Sequence, residues 1–293
     1  MPAQVRYIFA SVRLQQWIKN LFLFAALVFS GHLISRDDVL LTVIAFFFFS
    51  FVTSSVYILN DITDVEGDKL HPVKSHRPLP SGKLSMTAAY AGSIIFALIG
   101  ISGSFLLRFE FGVVVAIYFI INVFYSLKLK QIVIVDVMTI AAGFVLRVVA
   151  GAVLIQVPTS EWLIICTVLL SLFLGFSKRR HELTYLETGA DVHRSVLRYY
   201  SPYFLDQMIG IVTASTVMSY ALYTISEETV RKFGTNHLIY TVPFVLYGIF
   251  RYLYLVHKKE EGGNPARLAL ADMPLMINIV LWILTASVII YGK

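Results

Sequence analysis

The sequence predicts an all-α polytopic membrane protein with nine transmembrane helices, and three observations carry that prediction. Of its 293 residues, 57% are Ala, Val, Ile, Leu, Met, Phe, Trp, Tyr or Cys and only 14% are charged, whereas soluble domains run at roughly 45–50% apolar and about 25% charged. The mean hydropathy is +0.75. Four runs, Val39–Asn60, Met86–Leu107, Gln207–Ser226 and Met273–Gly292, contain no Asp, Glu, Lys or Arg. Each has the roughly 20 residues that a helix needs to cross a hydrocarbon core about 30 Å thick. Such a composition excludes disordered, collagenous and soluble coiled-coil chains.

Residues 1–19 carry Arg6, Arg13 and Lys19 among Val5, Ile8, Phe9, Val12, Trp17 and Ile18, without the apolar stretch and small-residue cleavage site of a secretory signal. They predict a basic amphipathic helix lying in the membrane interface. Besides the four charge-free runs, spans are expected at Asn20–Ser35, Phe111–Leu127, Gln131–Ile155, Trp162–Ser177 and Asn236–Val256. With the N-terminus on the cytoplasmic side, 17 of the 24 Lys and Arg fall inside and five outside, leaving Arg147 and Arg251 within spans. The positive-inside rule therefore predicts a cytoplasmic N-terminus and an external C-terminus in a cell membrane. No Gly/Ser linker, low-complexity tract or internal repeat interrupts the chain, so a single domain, 1–293, is expected. The one cysteine, Cys166, allows no internal disulfide. The two long polar connections, Asp61–Ser85 and Lys178–Asp206, both fall on the cytoplasmic side of this map, where chemistry is to be sought.

The second span ends Tyr57-Ile58-Leu59-Asn60-Asp61-Ile62-Thr63-Asp64-Val65-Glu66-Gly67-Asp68. At about 100° per residue, Asp64 lies roughly 60° and Asp68 roughly 20° from Asp61, with Tyr57 one turn deeper on that stripe. Like charges at this spacing repel, and a cluster at the mouth of a membrane helix is costly unless a cation neutralises it. One or two hard carboxylate ligands, completed by water and phosphate, suit Mg²⁺. A single Asp there would read as a helix cap, but a repeated array reads as a metal site. Lys69, His71, Lys74, His76 and Arg77 follow closely, punctuated by Pro72, Pro78 and Pro80. Carboxylates beside cations suit a metal-bridged polyphosphate.

Asn60-Asp61-x-x-Asp64-x-x-x-Asp68, followed by His71-Pro72-x-Lys74-x-x-Arg77-Pro78-x-x-x-Gly82, resembles the first aspartate-rich motif and loop of the UbiA superfamily of intramembrane transferases. Gln16-Trp17-x-Lys19-Asn20, Tyr125-Ser126-x-x-Leu129-Lys130, Gly143-Phe144-x-Leu146-Arg147-x-x-Ala150-Gly151, Asn264-Pro265 and Asp272-x-Pro274-Leu275 are similar to its phosphoribosyltransferase branch. The resemblance runs from about Trp17 to Trp282. It implies nine helices around a central cavity, with Asn60, Asp61 and Asp64 holding Mg²⁺ against a donor's diphosphate. It also implies that Lys19, Tyr57, Asp68, Lys74, Arg77, Lys130, Arg147, Lys178 and Arg179 line the site as substrate contacts. The implied reaction moves 5-phosphoribose from phosphoribosyl pyrophosphate to a polyprenyl monophosphate.

One departure bears on the substrate. Most members of that superfamily place a second acidic motif at the end of the sixth helix, where this chain has Ser177-Lys178-Arg179-Arg180-His181-Glu182. A basic cluster cannot chelate a second Mg²⁺, but Lys and Arg can neutralise phosphate directly. The alternative for these cations, favoured for Arg180, is a positive-inside anchor. Arg147 lies deep in its span, where an arginine costs at least roughly 2.5–3.5 kcal/mol on insertion scales, so a ligand phosphate or an inter-helix carboxylate is expected to repay it. Asp136 lies on the same face but about 16 Å away along the helix, and is expected to partner Lys128 or Lys130. His32, His237 and His257 are scattered without metal spacing, the Phe46–Phe49 run is expected to face lipid, and the basic charge makes no case for nucleic acid. Two rival functions remain. A UbiA-type prenyltransferase using a polyprenyl diphosphate should carry the missing second acidic motif, and a lipid or ion transporter should show paired repeats with broken helices.

Overall fold

The computed structural model describes residues 3–70, 72–185, 195–258, 268 and 271–292, so His71, Arg194, Lys259, Asn264, Pro265 and Arg267 lie outside the described residues. All regular structure among the described residues is helical: α1 Ala3–Ser11, α2 Phe24–Phe29, α3 Arg36–Thr63, α4 Val65–Leu70, α5 Met86–Leu107, α6 Phe109–Leu127, α7 Val135–Leu154, α8 Glu161–Tyr185, α9 Pro202–Ile225, α10 Glu227–Phe233, α11 Val242–Lys258 and α12 Met273–Tyr291. Eight described stretches are long and apolar enough to cross a membrane. The chain is a multi-pass membrane protein.

The first expected span differs from the sequence reading. Instead of one helix over Asn20–Ser35, a 3-10 helix runs over Leu14–Leu23, α2 follows, and Gly31 at φ +86° turns the chain into a second 3-10 turn at His32–Ile34. The continuous apolar stretch Leu14–Phe29 falls short of an α-helical span. The 3-10 rise of about 2.0 Å stretches its first ten residues over roughly 20 Å, and α2 adds about 9 Å, so the piece still reaches close to 30 Å. The expected interfacial helix over 1–19 is likewise shorter. It ends at Ser11, and Arg13 breaks it with left-handed backbone, φ 55° and ψ 56°.

Helix starts follow local chemistry. Ser35, Ser85, Ser201 and Asp272 each accept a hydrogen bond from the backbone N–H three residues on, capping α3, α5, α9 and α12, which supplies a partner to a donor the helix itself cannot satisfy. At 28 residues, α3 is about 42 Å long and outruns the hydrocarbon core, so its last turns can carry carboxylates.

The helices group into two compact units, Met1–Thr159 with Gly189–Arg198, and Ser160–Thr188 with Tyr199–Lys293. In the first, Leu23, Leu27, Ala45, Phe49, Val52, Phe111, Val115, Tyr118, Ala150 and Leu154 form the apolar core. Close backbone approach needs glycine at two places. A Cβ on Gly100 of α5 would come within 2.7 Å of the Phe48 carbonyl oxygen of α3, and one on Gly151 of α7 within 2.0 Å of the Leu23 carbonyl oxygen. Helices in lipid pack through such small residues because no hydrophobic force draws them together. The Phe46–Phe49 run is not uniformly lipid-facing as expected. Four successive residues spread around a helix, so Phe47 is exposed while Phe49 is fully buried against Tyr118. In the second unit α8 packs on α9 and α11 on α12, with Trp282 Nε1 donating to Tyr220 Oη at 2.9 Å and Arg251 paired with Asp272 at 2.8 Å.

Candidate active site

In the first unit one polar face of α3 organises everything beside it. Ser50, Thr53 and Ser54 are buried on it, and apolar surroundings oblige them to find partners. Ser54 Oγ accepts from Trp17 Nε1 at 3.0 Å, while Asn20 Nδ2 donates to Ser50 Oγ at 2.9 Å and Thr53 Oγ1 at 3.2 Å. These bonds moor the 3-10 helix Leu14–Leu23, and with it Arg13 and Lys19, alongside α3.

Where α3 ends, the carboxylates gather cations. Asp64 is the C-cap residue of α3 and α4 resumes at Val65, so the stripe bends rather than continuing as one helix. Asp61 and Asp68 stay together, both nearly fully buried: Arg77 Nη1 donates to Asp61 Oδ1 at 3.0 Å and Asp68 Oδ2 at 2.7 Å. Lys74 lies 3.4 Å from Asp68. Asp64 turns instead to Lys130, whose Nζ also donates to Thr63 Oγ1 at 3.1 Å, and accepts from Asn60 Nδ2 at 3.0 Å. Of the two lysines expected near Asp136, Lys130 pairs with Asp64. It is held by the short 3-10 turn Leu129–Gln131, before Ile134 at φ +69°.

Arg13 is a member the sequence reading missed. Its guanidinium pairs with Asp61 Oδ1 and lies 5.3 Å from the Tyr57 ring centroid. Left-handed backbone costs a non-glycine residue about 1–2 kcal/mol, and the ion pair and ring contact help to hold it. Only the fold, joining positions 48 apart, reveals it; in the sequence Arg13 is one basic residue among apolar ones.

Deeper along α7, Arg147 meets neutral groups rather than an inter-helix carboxylate, one of the two partners expected for it. Nε donates to Asn20 Oδ1 at 2.9 Å, Nη1 to the Gly143 carbonyl at 2.7 Å and Nη2 to Tyr118 Oη at 2.9 Å. The rings of Tyr118, Phe144 and Phe49 lie 4.7, 5.3 and 5.4 Å from its Cζ. Three hydrogen bonds and three ring faces take the place of a counter-charge. Lys19, half-buried in the adjoining 3-10 helix, has no hydrogen-bond or ion-pair partner among the described residues, so this flank presents positive charge.

The residues around the aspartates suit a hard divalent metal. Asn60 Oδ1 is buried without a hydrogen-bond partner among the described residues, and the Asn60 side chain touches the Asp64 carboxylate; amide and carboxylate oxygens are the donors Mg²⁺ takes. As they stand the carboxylates are held by basic side chains, and no ready-made group of three metal-ligating residues occurs among the described residues.

The cations of the second unit have carboxylates of their own. Arg179, 1% exposed, pairs with Glu182 at 2.6 Å, Lys178 lies 3.7 Å from the same carboxylate, and Arg180 pairs with Asp206 of α9. His257 Nε2 lies 3.3 Å from Asp206, and His32 of the first unit pairs with Asp38 at 2.8 Å.

Residues 20–280 match the model of the UbiA prenyltransferase family. The chain is 32% identical to a decaprenyl-phosphate phosphoribosyltransferase of Mycolicibacterium smegmatis, covering 96% of this chain and 91% of that protein. It is 31% identical to one of Corynebacterium glutamicum, covering 96% and 86%. Its fold is similar to the solved structure of a UbiA homolog from Archaeoglobus fulgidus bound to GPP and Mg²⁺, with a TM-score of 0.73 at 18% identity over 97% of this chain and 99% of that one.

Proposed function

The chain belongs to the UbiA prenyltransferase family and is a membrane-embedded transferase, and from that premise we propose that it transfers 5-phosphoribose from phosphoribosyl pyrophosphate to a polyprenyl monophosphate. The observation that carries this reading is the interleaving of Asp61, Asp64 and Asp68 with Arg13, Lys74, Arg77 and Lys130, a pattern made for a metal-bridged diphosphate. Two further features favour the sugar donor: Lys178-Arg179-Arg180 stands where a second acidic motif would grip a prenyl diphosphate, and the phosphoribosyltransferases are similar along almost the whole chain.

Asn60, Asp61 and Asp64 would hold Mg²⁺, with Asp68 linked to Asp61 through Arg77. When bound, the ion neutralises charge that develops on the departing diphosphate. Lys74, Arg77 and Lys130 supply charge-assisted hydrogen bonds to the same oxygens. Lys19 and Tyr57 face the sugar and its 5-phosphate, and Arg147 holds Asn20, and so Lys19, in place. As the bond from the sugar's anomeric carbon to the pyrophosphate oxygen breaks, a lipid phosphate oxygen forms its own bond to that carbon and pyrophosphate leaves. The nucleophile is already an anion, so no residue need remove a proton from it. Catalysis rests on positioning and electrostatics. The distribution of Lys and Arg favours a cytoplasmic site, the side on which a water-soluble donor is available.

Pyrophosphate release with each donor tests the choice. Given phosphoribosyl pyrophosphate with polyprenyl phosphate, or a polyprenyl diphosphate with an aromatic or glycerol acceptor, the purified protein should release pyrophosphate only with the sugar. Turnover of the prenyl diphosphate alone would favour the prenyltransferase reading.

A further inference from the structure

The charges at the end of α3 disfavour a metal arriving by itself. Asp61, Asp64 and Asp68 bring three negative charges, and Arg13, Lys74, Arg77 and Lys130, each ion-paired with them, bring four positive ones. Asp61 Oδ1 is shared by two guanidinium groups, and Arg77 Nη1 bridges Asp61 and Asp68. A lone divalent cation would add to a local surplus of positive charge and would compete with the basic side chain already paired with each carboxylate it took. Because Asp61 and Asp68 are nearly fully buried, water screens this repulsion poorly. A diphosphate arriving with the metal reverses the balance. Its oxygens give the displaced cations new partners, and arginine's planar fork suits them especially well.

We infer that Mg²⁺ and the diphosphate bind this protein as a mutually dependent pair, and that Arg13 and Arg77 are the positioning residues that enforce the dependence. While the metal is absent they occupy Asp61 and Asp68 and keep the buried carboxylates neutralised. When metal and diphosphate arrive together the two guanidinium groups pass from carboxylate to phosphate oxygens. No bond is made or broken in this exchange, only ion pairs. The inference rests on the proposed function in taking a metal-bridged diphosphate as the ligand, and it holds for either a sugar or a prenyl donor.

Thermal unfolding of the purified full-length protein in detergent tests it, with MgCl₂ alone, inorganic pyrophosphate alone, and both together. In the wild type each alone should move the midpoint by less than about 1 °C, and the pair by about 4 °C or more, because a ligand that binds only the folded state stabilises it. In Arg77→Gln or Arg13→Gln, MgCl₂ alone should raise the variant's own midpoint by about 2 °C or more, since a carboxylate has been freed, while the extra effect of pyrophosphate shrinks. A merely structural arginine would lower the midpoint without making the protein responsive to metal. If MgCl₂ alone stabilises the wild type as much as the pair does, or both variants keep the wild-type pattern, the exchange is overturned and the proposed function stands. If the pair has no effect on a cooperatively unfolding wild type, both fall.

Discussion

At the scale of single residues, neighbouring acidic side chains have opposite fates. Asp64 takes Lys130 and the Asn60 amide, whereas Glu66 points outward, 80% exposed, and among the described residues meets only Lys69 at 2.7 Å. Asp64→Asn should lower turnover by roughly ten- to a hundredfold, the scale of a lost interaction with a charged group, while Glu66→Gln should stay within about twofold, as an exposed pair contributes little. Steady-state rates for the two variants decide whether the functional face has been chosen correctly; a larger loss in Glu66→Gln would reject it. Arg147 calls for a different measurement. Since Asn20, Gly143 and Tyr118 accept its hydrogen bonds, removing it leaves buried polar groups unmatched at about 1–3 kcal/mol. Arg147→Met and Asn20→Leu should each lower the thermal midpoint, with the double variant losing less than the sum because the pair is coupled. A loss of activity with no change in midpoint would mark Arg147 instead as a direct phosphate ligand. The sequence singled out Arg147 by its depth but could not supply its partner, because Asn20 lies 127 positions away.

At the scale of elements, legibility followed the physics of each segment. Apolar runs of about 20 residues can only be spanning helices, and serine or aspartate three residues before a helical N–H marks where several of them start. The 3-10 helix Leu14–Leu23 was not legible. Its stretching depends on Asn20 and Trp17 bonding to serines and a threonine some 30 to 40 positions along the chain, and no local pattern encodes those bonds. The bend after Thr63 escaped too, since an ideal helical wheel carries Asp61, Asp64 and Asp68 along one stripe whereas the chain sends Asp64 to Lys130 and keeps the other two on Arg77. Gly151 tests the seating of the 3-10 helix against α7. A methyl group there meets the Leu23 carbonyl oxygen, while one on Gly210 of α9 meets nothing within 4 Å. Gly151→Ala should destabilise the extracted protein by about 2 kcal/mol or more, and Gly210→Ala should be neutral or slightly stabilising, as alanine favours helix. Equal thermal midpoints for the two would mean that the 3-10 helix is not tightly seated.

At the scale of the molecule, composition alone is enough to put this chain in a membrane, and the motif at the end of α3 is enough to suggest polyphosphate chemistry. The substrate is harder to read, because it turns on what replaces a second acidic motif. Lys178–Arg180 put three cations where such a motif would put carboxylates, yet in the structure those cations lean on Glu182 and Asp206. Following the atoms of the donor tests the central claim most directly. Purified protein should be given Mg²⁺, polyprenyl phosphate and phosphoribosyl pyrophosphate labelled in one sample at the 5-phosphate and in another at the terminal phosphate of the diphosphate. Phosphoribosyl transfer predicts that the 5-phosphate label moves into the organic-extractable lipid while the terminal label stays in water as pyrophosphate. Retention of the 5-phosphate label in water, with donor intact and lipid unmodified, would contradict the assignment.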